Sequence, residues 1–468
     1  MGAVYDPLLG GLRSGATTAS DLAKAGVIPD FPGKSIFNFA PTGKASVDAP
    51  IVDVSFCENS AGWLSFGAGA NYTTEAFPVA APNGQAAGAK LVTAASISAS
   101  AYVRSYSFEA NPGGGAPKTN GMKSFVKAPG QIMWVLVWLE SDAYQLNTAY
   151  SDTVAVRFSR DGSNFVEWYF TTGAYSLKSG WNMLCMRWDE TDAIRGPVAN
   201  VTGTVADGQT INLVQIGCVA GSAAGMTIRV AAAGHYNSVP SKPTIAIVPD
   251  GWYAEHQTRM LPLLTARGIK ATFTTGAAYW WNDPSLPNAL LAAGMEIGQQ
   301  VYTHIDYPQS GDVKYNADLD LAITYMKALG YSYQVQSMPY NDITRAQVNI
   351  AAAKGVKLIR EGRQAVTPIT PWGLGAGSMN IGQFGLDNVT LTDAKKAIDA
   401  VVRYGGLLTV TLHQLIAGGN GVSTTGNSVQ TYENDFAAWL DYGLAQGVSF
   451  VTMGDVVRAV ATIKAQNP

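Results

Sequence analysis

The chain has 468 residues, a formal net charge of −3 and a pI near 5.8, a balance that leaves no electrostatic footprint for nucleic acid or an anionic membrane surface. Hydrophobic residues make up 47% and charged residues 14%, with 50 glycines, so the surface rests on Ser, Thr, Asn, Gln and Gly and suits neutral, hydroxyl-rich partners such as glycans. The length predicts roughly two to four domains.

The N-terminus, M-G-A-V-Y-D-P-L-L-G-G-L-R-S-G, lacks a basic region followed by an apolar core, and no apolar run reaches the length of a membrane span. A soluble chain without a cleavable export signal is therefore expected. Cys57, Cys185 and Cys218 have no C-x-x-C spacing, and their odd number predicts buried free thiols rather than a disulfide framework.

Residues 1–46, rich in Gly, Ala, Ser and Pro, read as an arm with one short helix at Thr18–Ala25. From 47 to 240 the pattern is of short alternating and β-branched runs: I-V-D-V-S-F, Q-I-M-W-V-L-V-W-L, T-V-A-V-R-F-S, N-F-V-E-W-Y-F, W-N-M-L-C-M-R-W, T-I-N-L-V-Q-I-G and M-T-I-R-V-A-A-A. Such strands predict an antiparallel β-sandwich, with Asp161-Gly162 making a tight hairpin turn. Trp63, Trp134, Trp138, Trp168, Trp181 and Trp188 lie in this region; Trp134 and Trp138 sit in a continuous apolar strand and are read as core. The segment from Asp161 to Trp188 resembles jelly-roll, carbohydrate-binding sandwiches, which implies a structural or glycan-binding role.

From Pro243 strand and helix alternate. Strands are predicted at 244–248, 270–275, 295–298, 334–338, 356–359, 407–412 and 449–452. Helices are predicted at Glu255–Ala266, Leu286–Ala293, Ala317–Leu329, Ile343–Ala353, Thr392–Val402, Tyr432–Ala445 and from Asp455. Residues 241–468 thus predict a parallel (β/α) barrel, whose functional groups sit past the strand C-termini. Asp250, Tyr302, His304, Tyr340 and His413 all fall there, with two of the chain's four histidines among them.

Several segments then carry a specific resemblance, in order: I-A-I-V-P-D-G-W, R-G-I-K-A-T-F-T-T, A-G-M-E-I-G-Q-Q-V-Y-T-H-I, S-M-P-Y-N, L-T-V-T-L-H-Q, and the ending from Y-E-N-D-F to V-T-M-G-D-V. Residues 243–460 resemble a NodB-like polysaccharide deacetylase domain of the family 4 carbohydrate esterases, which implies a distorted (β/α) barrel. It also implies hydrolysis of acetyl groups on a glycan by a zinc-like divalent metal, a carboxylate base and a histidine acid. The resemblance puts Asp250, Gln300 and His304 at the metal positions and His413 at the acid.

Three positions depart from that pattern. Pro249 replaces the base aspartate, Gln300 the first metal histidine and Ser337 the arginine that supports the base. Asp306 is the leading substitute base, with Glu255, Asp283, Asp342 and Glu361 as alternatives; Glu296 reads as structural. Tyr340 is a candidate oxyanion donor. Trp252, Tyr302, Trp280 and Trp372 are candidate walls of a sugar site, among the strand-end aromatics Tyr279 and Trp281.

The order of arm, sandwich and deacetylase-like barrel is similar to bacteriophage tail fibres and tailspikes. It implies a virion protein acting outside the host cell on bacterial surface polysaccharide, associated with tail components, homotrimeric and not inserted in membranes. Two functions stay open: a capsule or O-antigen deacetylase, and a non-catalytic glycan receptor-binding protein. A third, metal-free lysis of a uronic acid polymer, is weaker.

Overall fold

The computed structural model describes residues 4–6, 11–13, 64–66, 71–82, 84–93, 100–106, 124–140, 153–171, 177–220, 225–237, 239, 241–362, 366–370, 373–418 and 430–466. The expected helix at Thr18–Ala25, the run I-V-D-V-S-F, Cys57, Trp63 and Trp372 lie outside them. Within the arm, Val4–Asp6 pairs antiparallel with Gly11–Arg13. No helix among the described residues is long and apolar enough to cross a membrane.

The β-rich region forms two main antiparallel sheets. One runs, in spatial order, 200–202, 165–171, 153–159, 213–219, 100–106 and 64–66; the other runs 180–187, 132–139, 227–236, 87–92 and 71–76. Their facing residues share one apolar core, including Val135, Val137, Val156, Phe158, Trp168, Ile216 and Ile228. The turn at Asp161-Gly162 is present: Ser159 pairs with Phe165, Gly162 adopts φ 90°, and the Asp161 carboxylate accepts the amides of Ser163 and Asn164. Only the glycine takes the left-handed conformation. Cys218 is buried and Cys185 half-buried, both as free thiols.

Strand Ile132–Leu139 is buried at every position. Period-two geometry divides it: Met133, Val135, Val137 and Leu139 face the core between the sheets, whereas Ile132, Trp134, Leu136 and Trp138 belong to a second cluster. That second cluster includes Ala376 and Tyr404 from the C-terminal half. The continuous apolar run therefore reflects an outer sheet face covered by the next domain. Hydrogen bonds from Arg187 to the Arg403 carbonyl (3.0 Å) and ion pairs of Arg403 with Asp189 (3.0 Å) and Glu190 (3.3 Å) border it.

The C-terminal half contains parallel strands β1 (Pro243–Pro249), β2 (Thr272–Thr275), β3 (Glu296–Gln299), β4 (Val335–Ser337), β5 (Leu358–Arg360), β6 (Asn380–Ile381), β7 (Gln383–Gly385), β8 (Gly406–Leu412) and β9 (Ser449–Val451). The ladders make two sheets rather than one continuous ring: β7-β8-β1-β9 and β2-β3-β4-β5-β6. They meet at a single parallel bridge, Asp250 to Thr274, and through the chain's passage across Gly382 from β6 to β7.

Helices follow most strands. The expected helix at 255–266 begins as a π-helical turn, His256–Met260, before Leu261–Ala266. The tryptophan pair at 280–281 lies in helix Ala277–Asn282. Thr344 caps helix Arg345–Ala353 with a complete capping box, and Thr390 caps Leu391–Tyr404.

Candidate active site

Asp250 is the first residue beyond β1. Its amide donates to the Leu412 carbonyl (2.9 Å), and the next amide, Gly251, donates to Thr274 (2.8 Å). Gly251 holds φ 88°, and a Cβ there would lie 2.6 Å from the Tyr253 ring, so this turn requires glycine. The turn buries Asp250 to 4% exposure.

Both carboxylate oxygens of Asp250 are engaged. Oδ1 accepts from the Thr274 hydroxyl, and Oδ2 accepts from Arg360 Nη2 at 2.5 Å. Arg360 ends β5 and is fully buried. Its Nε donates to Ser337 Oγ (3.0 Å), and its Nη1 to Asn341 Oδ1 (3.0 Å) and to Gln383 Oε1. Burial lowers the guanidinium's pKa while Asp250 raises it, and arginine stays protonated under such conditions.

His413 follows β8, beside Asp250 on the neighbouring strand end. Its Nδ1 is 2.6 Å from Asp387 Oδ2, and its amide donates to Asp387 Oδ1 at 3.2 Å. The Thr431 hydroxyl donates to the same Asp387 oxygen (3.1 Å). From below, His256 Nε2 donates to the His413 carbonyl (2.9 Å), while its buried Nδ1 has no partner. Burial pulls the His413 pKa down, but the Asp387 hydrogen bond and the Asp250 charge outweigh it, and the group is raised.

Gln300 follows β3, 2% exposed, with its amide on the Thr275 carbonyl (2.8 Å) and its Oε1 buried without a hydrogen-bond partner. The chain then turns sharply through Val301 at φ 60°. A positive φ at a β-branched residue is strained, and Tyr340 (φ 55°) and Asn341 (φ 63°) share that conformation on the facing loop.

The expected metal set does not assemble. His304 is exposed, its ring centroid 5.2 Å from that of Tyr340, which is 61% exposed. Asp250 has a guanidinium against it, and Gln300 offers only a neutral amide. Among the described residues no group of three or more His, Cys, Asp or Glu is arranged to hold a metal. The residues present do not fit a divalent ion.

Asp306, the expected base, caps the short helix Tyr307–Ser310 instead: Oδ1 accepts the Gln309 amide (3.2 Å) and Oδ2 the Gln309 side chain (2.7 Å). Among the alternatives, Glu255 accepts from Gln414 (3.1 Å), Asp283 from the Ser285 amide (3.0 Å) and buried Glu361 from Asn380 (3.0 Å). Glu296 is structural, bonded to Thr272 and the Gly454 amide.

Trp280 is also corrected. It is fully buried, with Nε1 on the Gly298 carbonyl (2.9 Å), and packs beneath half-buried Trp252 at 5.2 Å. Tyr279, Trp281 and Tyr340 are exposed, and Trp252 and Tyr302 are half-buried. Trp281 packs on Tyr325 (4.8 Å), which stacks on Tyr302 (5.2 Å).

Two site residues escape sequence reasoning, Arg360 and Asp387. For Arg360 the signal is the register: Ser337 and Arg360 are direct partners across β4 and β5. The guanidinium of Arg360 passes Ser337 and reaches Asp250, the expected metal aspartate. Asp387 stands two residues beyond β7, in a stretch without period-two or helical patterning.

The family model described as Polysaccharide deacetylase matches residues 237–359. That stretch contains Asp250, Gln300 and His304; Arg360, Asp387 and His413 lie beyond it. An uncharacterized protein of Bacillus subtilis, YlxY, is 27% identical over 121 residues, 25% of this chain, and the match spans 38% of that protein's length. Among solved structures, a family 4 carbohydrate esterase from Streptomyces lividans is 16% identical with a TM-score of 0.31, covering 44% of this chain and 91% of that one. A CE4 family pseudoenzyme from Bacillus anthracis is 15% identical with a TM-score of 0.33, covering 47% and 66%. The family match supports a domain of polysaccharide deacetylase type in the C-terminal half.

Proposed function

We propose that this chain is a carbohydrate esterase that removes acetyl groups from a bacterial surface polysaccharide, capsule or O-antigen, through an acid–base pair formed by His413 and Asp387. The observation that carries the reading is the 2.6 Å contact between His413 Nδ1 and Asp387, at the strand end next to Asp250. With Nδ1 committed to the carboxylate, Nε2 is the nitrogen available to a substrate.

O-acetyl esters fit this arrangement better than N-acetyl amides, because an alkoxide leaves more readily than an amine anion and one histidine can serve both steps. His413 Nε2 takes a proton from water as the water oxygen bonds to the acetyl carbonyl carbon. It returns that proton to the sugar oxygen as the C–O bond breaks, giving a free hydroxyl and acetic acid, which ionises to acetate in solvent. Asp387 orients the ring and steadies its charged form. The unpartnered Gln300 Oε1 is an acceptor for a sugar hydroxyl or the attacking water, and the aromatic strip from Tyr302 to Trp281 suits stacking on sugar rings.

A second reading, a glycan receptor-binding domain without turnover, is favoured by the closed Asp250–Arg360 pair. In either case the proposed setting is a bacteriophage tail fibre or tailspike, trimeric, associated with virion tail components and acting outside the host. Mass photometry of the full chain tests the trimer.

The functional test is acetate release from O-acetylated capsule or lipopolysaccharide, with glycan binding measured in parallel. Wild type should release acetate and His413→Ala should not. Asp387→Asn should retain binding, lose at least about tenfold in rate and shift the acidic limb of the pH profile downward, because the carboxylate that raises the His413 pKa is gone. Binding without acetate from wild type selects the receptor reading.

A further inference from the structure

We infer that Arg360 fills the cation position beside Asp250, so that this centre is built to work without a divalent metal. Three observations carry it independently of which functional reading holds. First, the guanidinium contacts Asp250 Oδ2 at 2.5 Å, and the other carboxylate oxygen accepts from Thr274. A divalent ion on that carboxylate would face a fixed positive charge at close range.

Second, Arg360 cannot easily swing aside. Its Nε and Nη1 donors are held by Ser337, Asn341 and Gln383, and its side chain is fully buried. Gln383 Nε2 also donates to Asn341 Oδ1 (2.8 Å), and the Asn341 carbonyl accepts the Gly362 amide (2.6 Å), so the acceptors that hold the guanidinium are themselves fixed.

Third, the other rim positions offer a divalent ion little. Gln300 offers a neutral acceptor, His304 points to solvent against Tyr340, and Pro249 supplies no acidic side chain. Ser337 accepts from Arg360 Nε, and its small side chain leaves room for the guanidinium. Within the Asp250–Arg360 pair charge is balanced, one guanidinium for one carboxylate.

The test reads metal content rather than turnover, so it fails or succeeds separately from the esterase proposal. The full chain is incubated with zinc, desalted, and its zinc measured by plasma mass spectrometry, with cobalt absorption as a second probe. Wild type should hold no more zinc than Asp250→Asn. Arg360→Ala combined with Gln300→His should go from trace to stoichiometric metal and show tetrahedral or five-coordinate cobalt bands. Stoichiometric zinc in wild type that is lost in Asp250→Asn would overturn the inference. So would a folded double variant, verified by circular dichroism, that still takes no metal. If that variant does not fold, the wild-type stoichiometry alone decides.

Discussion

A buried ion pair at the mouth of a parallel sheet has consequences for single residues. Removing one partner of a buried pair typically costs about 3–5 kcal/mol, because the other charge is left uncompensated. Arg360→Met should therefore lower the urea midpoint sharply, whereas Asp250→Leu with Arg360→Met should recover much of the loss. Additive losses in the double variant would mean that the two side chains are not coupled. His256 offers a second residue-level expectation. Burial pulls its pKa down to about 4, the His413 carbonyl opposing. Its unfolded value is about 6.5, so the unfolded chain takes up a proton first; the stability contribution is full above that pH and declines as pH falls toward 4, by roughly 3 kcal/mol. Wild type should thus lose more stability between pH 7 and 4.5 than His256→Gln, which keeps the donor to His413 without titrating.

Elements carry the same reasoning at greater length. Strand Ile132–Leu139 serves two cores, one inside the antiparallel pair of sheets and one against Tyr404 and Ala376. Trp138 is 3% exposed there, with the Arg345 guanidinium 5.1 Å above its ring. Trp138→Ala should cost about 3–5 kcal/mol, measured by urea unfolding, and a loss under about 1 kcal/mol would contradict the packing. Much of this organisation is legible in the chain itself. The switch at Pro243 from alternating to strand–helix patterning, the buried apolar run I-A-I-V and the strand-end positions of Asp250 and His413 all follow from periodicity. Trp134 and Trp138 are read as core correctly, although the face they bury belongs to the junction between halves. What periodicity does not reveal is register and short polar strands. β6 and β7 occupy only N-I and Q-F-G, so Asp387 behind them looks like a loop residue, and the approach of Arg360 to Ser337 becomes visible only once β4 and β5 are aligned. The carboxylate of Asp306 shows the opposite failure, a strand-end acid whose geometry is that of a helix cap.

At the scale of the whole molecule, the two halves are packed together rather than strung on a linker. Gly196 is part of the fit: a Cβ there would lie 2.9 Å from Tyr404 Cζ. Gly196→Val should separate one cooperative unfolding transition into two, seen by calorimetry; a single unchanged transition would show that the junction is not structurally coupled. The aromatic strip and the His413–Asp387 pair both belong to the C-terminal half, so the junction fixes where the β-rich half sits relative to them. The most direct measurement of the account is acetate release from O-acetylated surface polysaccharide by the full chain, with and without chelator, for wild type and His413→Ala. The expected result is release by wild type that chelator leaves unchanged and that His413→Ala abolishes. Release that chelator abolishes, or that survives in His413→Ala, would contradict it.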